Sequence, residues 1–228
     1  TLLTEFESYG ARHFLRTMAT EAPGELRRRL IPLRTGVGAS PGESPDLDEI
    51  ELGEVLHYRT LVIRNSGVAS RPPSPYSIAW KGTYYSVWQR PATNGSRVIE
   101  HLSLGSRTQP AAVPDCADVQ RLGRLAAANG AALVTVRRRP SIVIYPDGST
   151  TEQVSVGQYG EDARTVYVIV RQSIRLPFDL SRGGKLGVWV GGTFRTRIDA
   201  YVDDRYVGTL RRELTWPGNF LLAGDVRL

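Results

Sequence analysis

The sequence predicts an α+β protein, in which a mixed α/β N-terminal part is followed by an all-β sandwich of the jelly-roll type. Up to Pro140, segments with helical spacing alternate with segments rich in β-branched residues. From residue 141 to the end, short strand-like segments recur about every 8–12 residues, with Gly- and Asp-containing turns between them. The length of 228 residues allows one or two domains.

Residues 1–34 predict a juxtamembrane helical segment. Phe6, Tyr9 and Phe14 fall at about helical spacing, and Pro23-Gly24 interrupts the pattern. Arginines on such a helix either border a packing face or contact anionic lipid headgroups, at about 1 kcal/mol each. The candidate membrane-surface residues are Arg12, Arg16, Arg27, Arg28 and Arg29.

Residues 35–139 predict a mixed α/β domain that opens with an exposed loop. In this loop, Asp46-Leu47-Asp48 has the form of an acidic metal-binding pair, although acids in such a place more often cap a helix. Residues 56–64 then predict a strand. Residues 76–80 and 84–90 predict two more, joined at Lys81-Gly82-Thr83, where Gly82 would supply a positive φ.

The strongest helical pattern covers residues 115–129. Asp115 is a suitable N-cap, and Asn129-Gly130 a suitable end. The apolar stripe of this helix comprises Val119, Leu122, Leu125 and Ala126. Residues 131–136 and, before the helix, 97–104 predict strands.

Residues 140–228 predict a β-sandwich domain. The predicted strands are 142–145, 154–156, 165–174, 186–190, 193–202 and 206–213. Alternation is clearest at 194–202, and Asp203-Asp204-Arg205 forms the turn after it. One face of this strand has Phe194, Thr196, Ile198, Ala200 and Val202; the other has Arg195, Arg197, Asp199 and Tyr201.

The charge balance favours anionic partners. The net charge is +6 and the isoelectric point about 9.7, with Lys81 and Lys185 the only lysines among 29 basic residues. Nucleic acid, anionic lipid and acidic glycans all fit such a charge. The single cysteine, Cys116, excludes an internal disulfide within this sequence. No apolar run reaches the roughly 18 residues of a membrane span.

The sequence contains no recognisable catalytic, metal or cofactor motif. His13, His57 and His101 lie far apart, and the glycine-rich motifs of nucleotide-binding sites are absent. Residues 38–42 match the Gly-x-Ser-x-Gly pattern, but they lack the strand and helix that this motif needs on either side. We therefore predict no catalytic residue, no metal and no cofactor.

Three stretches, residues 58–64, 70–76 and 82–90, resemble the soluble C-terminal extracytoplasmic region of actinobacterial multi-spanning membrane glycosyltransferases. These enzymes are of the GT-C type and include the cell-wall arabinofuranosyltransferases. Residues 199–208 are similar to part of a galactose-binding jelly roll, a common carbohydrate-binding accessory.

The resemblance implies a location at the extracytoplasmic face of the cell membrane, with the rest of a multi-spanning chain upstream. The start at Thr1 instead of Met agrees with a piece of a longer protein. In that family an acidic residue between membrane helices performs catalysis, and no residue here corresponds to it.

The sequence thus predicts a non-catalytic domain that contacts a cell-wall glycan, a lipid-linked sugar or an anionic membrane surface. The candidate carbohydrate-binding residues are Trp189, Arg195, Arg197, Asp199, Tyr201 and Trp216. A nucleic-acid-binding module is an alternative, although no nucleic acid is expected because no nucleic-acid-binding fold signature is present. A free-standing glycan hydrolase is another. Its candidate acids would be Glu161, Asp162, Asp199, Asp203 and Asp204.

Overall fold

A computed structural model gives the structure of most of the chain. The residues it describes are 1–3, 15–22, 30–39, 45–67, 69–92, 97–103, 113–135, 141–145, 155–159, 162–167, 173–181, 183–192, 194–213 and 220–228. The chain divides into two compact units, Thr1–Arg139 and Pro140–Leu228. Over the described residues the fold is mixed, with mostly antiparallel strands and few helices, which confirms the α+β prediction at this level.

The described part of the N-terminal unit is built on a four-stranded sheet with the order β1-β2-β4-β3. These strands are β1 (Leu2–Leu3), β2 (Thr60–Arg64), β3 (Ser77–Lys81) and β4 (Tyr85–Gln89). β1 runs parallel to β2, and the other pairs are antiparallel. A 3₁₀ turn (Leu47–Glu49) and helix α1 (Leu52–His57) precede β2, and helix α2 (Cys116–Ala128) follows the sheet.

The core of this unit surrounds the central strand β2. Leu61 and Ile63 point to one face, where they join a buried cluster that includes Leu2. Val62 points to the other face and packs with Ala22. Because β2 is covered on both faces, its sequence is a continuous apolar run, as expected for a central strand.

A buried tyrosine ties α1 to the segment before β3. The Tyr76 hydroxyl donates to the carbonyl oxygen of Val55 at 2.7 Å and also to the carbonyl oxygen of Tyr58. Burial raises the pKa of Tyr76 to about 12. The neutral phenol is therefore the form that the folded protein holds.

Strand β3 lies at the edge of the sheet, and all five of its residues are exposed. The Asn65 amide holds the turn to β4, because its Nδ2 donates to the carbonyl oxygens of Gly82 (2.7 Å), Thr83 (3.1 Å) and Tyr85 (3.3 Å). Gly82 does not have the predicted positive φ. The exposed Trp80 indole lies over Gly82, and a Cβ there would lie 2.3 Å from the end of this movable ring.

Helix α2 forms where the sequence predicts it. The Asp115 carboxylate accepts the Ala117 N–H at 2.8 Å, and Gly130 ends the helix with a φ of 58°. Arg121 Nη1 donates to Glu100 at 2.8 Å, which ties the helix to the segment before it. None of the helix residues is buried, so its apolar stripe is only partly covered by the described residues.

The regular secondary structure in the described part of the C-terminal unit consists of strands. They are β5 (Ser155–Tyr159), β6 (Asp162–Tyr167), β7 (Lys185–Gly191), β8 (Phe194–Val202), β9 (Arg205–Glu213) and β10 (Phe220–Arg227). They form the antiparallel pairs β5–β6, β7–β10 and β8–β9.

The pairs β7–β10 and β8–β9 share a small core. Leu210 and Leu221 are buried at its centre, and Val190, Ile198 and Ala223 pack around them. The backbones of β9 and β10 come very close at two glycines. A Cβ on Gly208 would lie 2.0 Å from the Ala223 carbonyl oxygen, and one on Gly224 would lie 2.6 Å from that of Val207.

A two-residue turn joins β8 to β9. Asp203 and Asp204 both have positive φ, 48° and 59°, and Val202 pairs with Arg205 across them. These values match a type I′ turn, whose twist suits a hairpin and in which Asp is tolerated better than most side chains. The structure confirms the turn that the sequence predicts here.

Several elements differ from the sequence prediction. Leu2–Leu3 is a strand and not part of a helix, Leu15 lies at a turn, and residues 4–14 and 23–29 lie outside the described residues. The predicted strand at 56–64 begins at Thr60, because the preceding residues form α1. Residues 97–103, 131–135, 142–145 and 173–174 have no strand.

Strand β10 is absent from the sequence prediction. Its register with β7 shifts between Leu222 and Gly224, and this bulge breaks the period-two pattern on which the prediction depends.

Candidate functional site

The outer face of the β8–β9 hairpin carries a polar cluster. Ile198, on the strand's inner face, packs in the small core, so the alternate residues face outward. Across the hairpin, Arg197 pairs with Arg211, Asp199 with Thr209, and Tyr201 with Tyr206. We call this set of six residues the hairpin face.

The polar centre of the hairpin face is the Asp199 carboxylate. Arg197 Nε donates to both of its oxygens, at 3.0 and 2.9 Å, and Nη2 donates to Oδ2 at 2.7 Å. The Thr209 hydroxyl donates to Oδ1. Hydrogen bonding to Asp199 raises the pKa of Arg197, so the guanidinium stays charged.

Two exposed tyrosines extend this cluster towards the turn. The Tyr206 hydroxyl lies 2.8 Å from Thr209 Oγ1, and the Tyr206 ring meets the Tyr201 ring edge to face, with centroids 5.6 Å apart. Each of the two tyrosine residues is 59% exposed, although exposed aromatic surface is costly in water. The hairpin face thus combines aromatic rings with fixed hydrogen-bonding groups.

Of the predicted carbohydrate-binding residues, the structure brings together Arg197, Asp199 and Tyr201. Arg195 lies on the same strand, but its side chain is outside the described part, as is the whole of Trp216. The sequence prediction did not include Tyr206 and Thr209, because they lie on β9 and only the pairing of β8 with β9 brings them next to Tyr201 and Asp199.

Trp189 lies on a different surface. Its neighbour in β7, Val190, packs in the small core with Ile198 of β8, so Trp189 points away from that core. The indole is half-buried over Gly187, where a Cβ would lie 3.2 Å from its Nε1. Trp189 therefore lies on the outer face of β7–β10, whereas Tyr201 lies on the outer face of β8–β9.

The predicted membrane-surface residues are mostly outside the described part. Arg16 lies in an exposed turn, and nothing is described for Arg12, Arg27, Arg28 or Arg29. None of the helices in the described residues is long and apolar enough to cross a membrane.

The acids at Asp46 and Asp48 have structural roles. Asp46 caps the 3₁₀ turn, accepting the N–H groups of Asp48 and Ser70 at 3.0 Å each, and burial raises its pKa. Asp48 is 3% exposed and lies 3.0 Å from His101 Nε2. Within the described ranges, no three potential metal ligands cluster.

Comparisons with family models, with curated proteins and with solved structures found no match to this chain.

Proposed function

We propose that this chain is a non-catalytic, glycan-contacting domain of a membrane-bound glycosyltransferase, at the extracytoplasmic face of the cell membrane. The observation that carries the proposal is the hairpin face, where two exposed tyrosine rings lie beside the Arg197–Asp199 pair. A jelly-roll sandwich is the proposed form of the C-terminal unit, supported by the core that β7–β10 and β8–β9 share.

The chemistry of the hairpin face suits a sugar. The C–H faces of a pyranose or furanose ring pack on aromatic rings, and hydroxyl groups hydrogen-bond to fixed donors and acceptors. Asp199 is already engaged by Arg197 and Thr209, so its role in the proposal is to hold the guanidinium in place and not to act as an acid or base. This arrangement supports binding more than hydrolysis.

The location and the larger protein rest on the resemblance of residues 58–64, 70–76 and 82–90. We extend the proposal to a multi-spanning membrane chain upstream, to an anionic membrane surface near Arg16, and to a cell-wall glycan or lipid-linked sugar as ligand. No cofactor is proposed.

The proposal is tested by titrating arabinan and galactan fragments into the protein while recording amide NMR shifts. The favourable free energy of a few stacking and polar contacts only slightly exceeds the entropy cost of association, so a Kd of about 10–1000 μM is expected. Shifts should be confined to residues 194–213. Single-stranded DNA is titrated in parallel, because nucleic acid is the main alternative.

Three variants identify the surface that binds. Tyr201→Ala should abolish the shifts, whereas Tyr84→Ala, which removes an equally exposed (59%) tyrosine from the N-terminal unit, should leave them intact. Trp189→Ala should also leave them intact, because its side chain belongs to the other strand pair. No shifts with any sugar at millimolar concentration, or shifts with DNA alone, would contradict the proposal.

A further inference from the structure

We infer that the hairpin face selects an uncharged sugar, and that Tyr206 and Thr209 take part in holding it. This inference rests on the proposed glycan-binding function and specifies the ligand class and two further residues of the same site.

The first argument is local charge. The chain carries a net charge of +6, whereas the hairpin, residues 194–213, carries +1, with five arginines against three aspartates and one glutamate. Arg197 is paired with Asp199 at 2.7 Å, and Arg211 lies opposite Arg197 at the end of the face away from the turn. The acids Asp203 and Asp204 stand at the turn beside the tyrosines, where Arg205 donates to the Arg227 carbonyl oxygen at 3.5 Å. The aromatic end of the face therefore lies next to carboxylates, which disfavours an anionic ligand.

The second argument is the direction of the hydrogen bonds. The Asp199 carboxylate can only accept, so Thr209 must donate its single hydroxyl hydrogen to it. Thr209 Oγ1 then accepts, and Tyr206 must be the donor in the 2.8 Å contact between the two hydroxyls. The Tyr206 oxygen is thereby left with lone pairs, so it presents an acceptor beside the exposed rings.

The third argument is that Arg197 offers a hydrogen-bond donor. It lies at the opposite end of the hydrogen-bonded series Tyr206–Thr209–Asp199–Arg197. Arg197 uses Nε and Nη2 on Asp199, while its Nη1 has no partner among the described residues, and its side chain is 60% exposed. A ligand with neighbouring hydroxyl groups can donate to Tyr206 and accept from Arg197. A neutral polyol does both without carrying charge into the site.

The experiment compares neutral oligosaccharides with uronic-acid oligosaccharides of the same length, in NaCl from about 20 mM to about 500 mM. The wild type should bind the neutral sugar more tightly, with a Kd that changes less than about twofold across this range. This comparison needs no variant, so a folding defect cannot obscure it.

Two conservative variants test the added residues. Tyr206→Phe keeps the ring and should weaken neutral-sugar binding about three- to tenfold, the effect of one lost hydrogen bond to the sugar. Thr209→Val keeps the shape but removes the acceptor that orients the Tyr206 hydroxyl, so it should weaken binding by less than Tyr206→Phe does. Tyr84→Phe is the matched control and should leave the Kd unchanged, because Tyr84 is an exposed tyrosine that is not part of the hairpin face.

The possible failures are distinguishable. Tighter, salt-sensitive binding of the uronic-acid sugar would overturn the inference while glycan binding stands. Unchanged affinity of both Tyr206→Phe and Thr209→Val would remove these residues from the site. If no sugar shifts any resonance, the proposed function itself fails, and the inference fails with it.

Discussion

Replacing Gly208 by alanine should strongly destabilise the C-terminal unit. The added Cβ would lie 2.0 Å from the Ala223 carbonyl oxygen and 3.0 Å from its carbon. Overpacking in a core typically costs about 1–3 kcal/mol when side chains can move aside. Here the obstacle is backbone in a paired strand, so we expect about 3 kcal/mol or more for Gly208→Ala.

Two other glycines of the same unit complete a graded series. A Cβ on Gly224 would lie 2.6 Å from the Val207 carbonyl oxygen, so Gly224→Ala should also destabilise, by less. A Cβ on Gly184 would meet nothing within 4 Å, and Gly184→Ala should stay within about 0.5 kcal/mol of the wild type.

Urea denaturation followed by hydrogen exchange of peptides from residues 194–213 measures these changes in the correct unit. The expected order of destabilisation is Gly208, then Gly224, then Gly184. If Gly208→Ala unfolds at the same urea concentration as Gly184→Ala, then β9 and β10 do not approach each other as closely as the structure shows.

Three other perturbations have definite expected outcomes. Tyr76→Phe should cost about 1–3 kcal/mol at pH 7, because it removes the donor to two buried carbonyls, whereas Tyr84→Phe should cost under about 0.5 kcal/mol in the same denaturation assay. Burial raises the pKa of Asp46 from its ordinary value of 3.8. Between that value and the pKa of the folded state, the folded protein binds more protons than the unfolded chain, so the free energy of unfolding falls as the pH rises. Asp46→Asn should lose this slope; a slope identical to that of the wild type would contradict it. A five-fold Arg→Gln variant of the candidate membrane-surface residues should pellet less with anionic vesicles at low salt than a variant with the same charge loss elsewhere. Equal pelleting would show that these arginines have no special role. The charge-matched control changes Arg59, Arg97, Arg124, Arg175 and Arg227.

The β8–β9 hairpin shows which parts of the candidate site can be predicted from the sequence and which cannot. Alternation along 194–202 predicts which residues share a face, and the Asp203-Asp204 turn would by itself pair Tyr201 with Tyr206. The pairing of Asp199 with Thr209 is different, since the register shifts between Ala200 and Tyr201. Without that bulge Asp199 would face Gly208, so the hydrogen-bonded cluster could not be found from the turn alone.

Other parts of the candidate site depend on contacts between distant segments. Trp189 and Tyr201 are both on strands with aromatic residues facing outward, and the sequence alone groups them together. Val190 and Ile198 pack in the same core, so the residues next to them, Trp189 and Asp199, point away from it on two different strand pairs. The same long-range packing explains Leu2–Leu3, whose partner strand lies nearly 60 residues away in the chain.

The Asn65 amide has a consequence for the chemical ageing of the protein. A single NH₂ group donates to three carbonyl oxygens of the β3–β4 turn. Deamidation would replace it with a carboxylate, which can only accept and would face those same three oxygens. Each attraction would become a repulsion, so a change of one mass unit at residue 65 should loosen the edge of the sheet. The intact turn and the aged one would then differ in how fast the amides of β3 exchange with solvent.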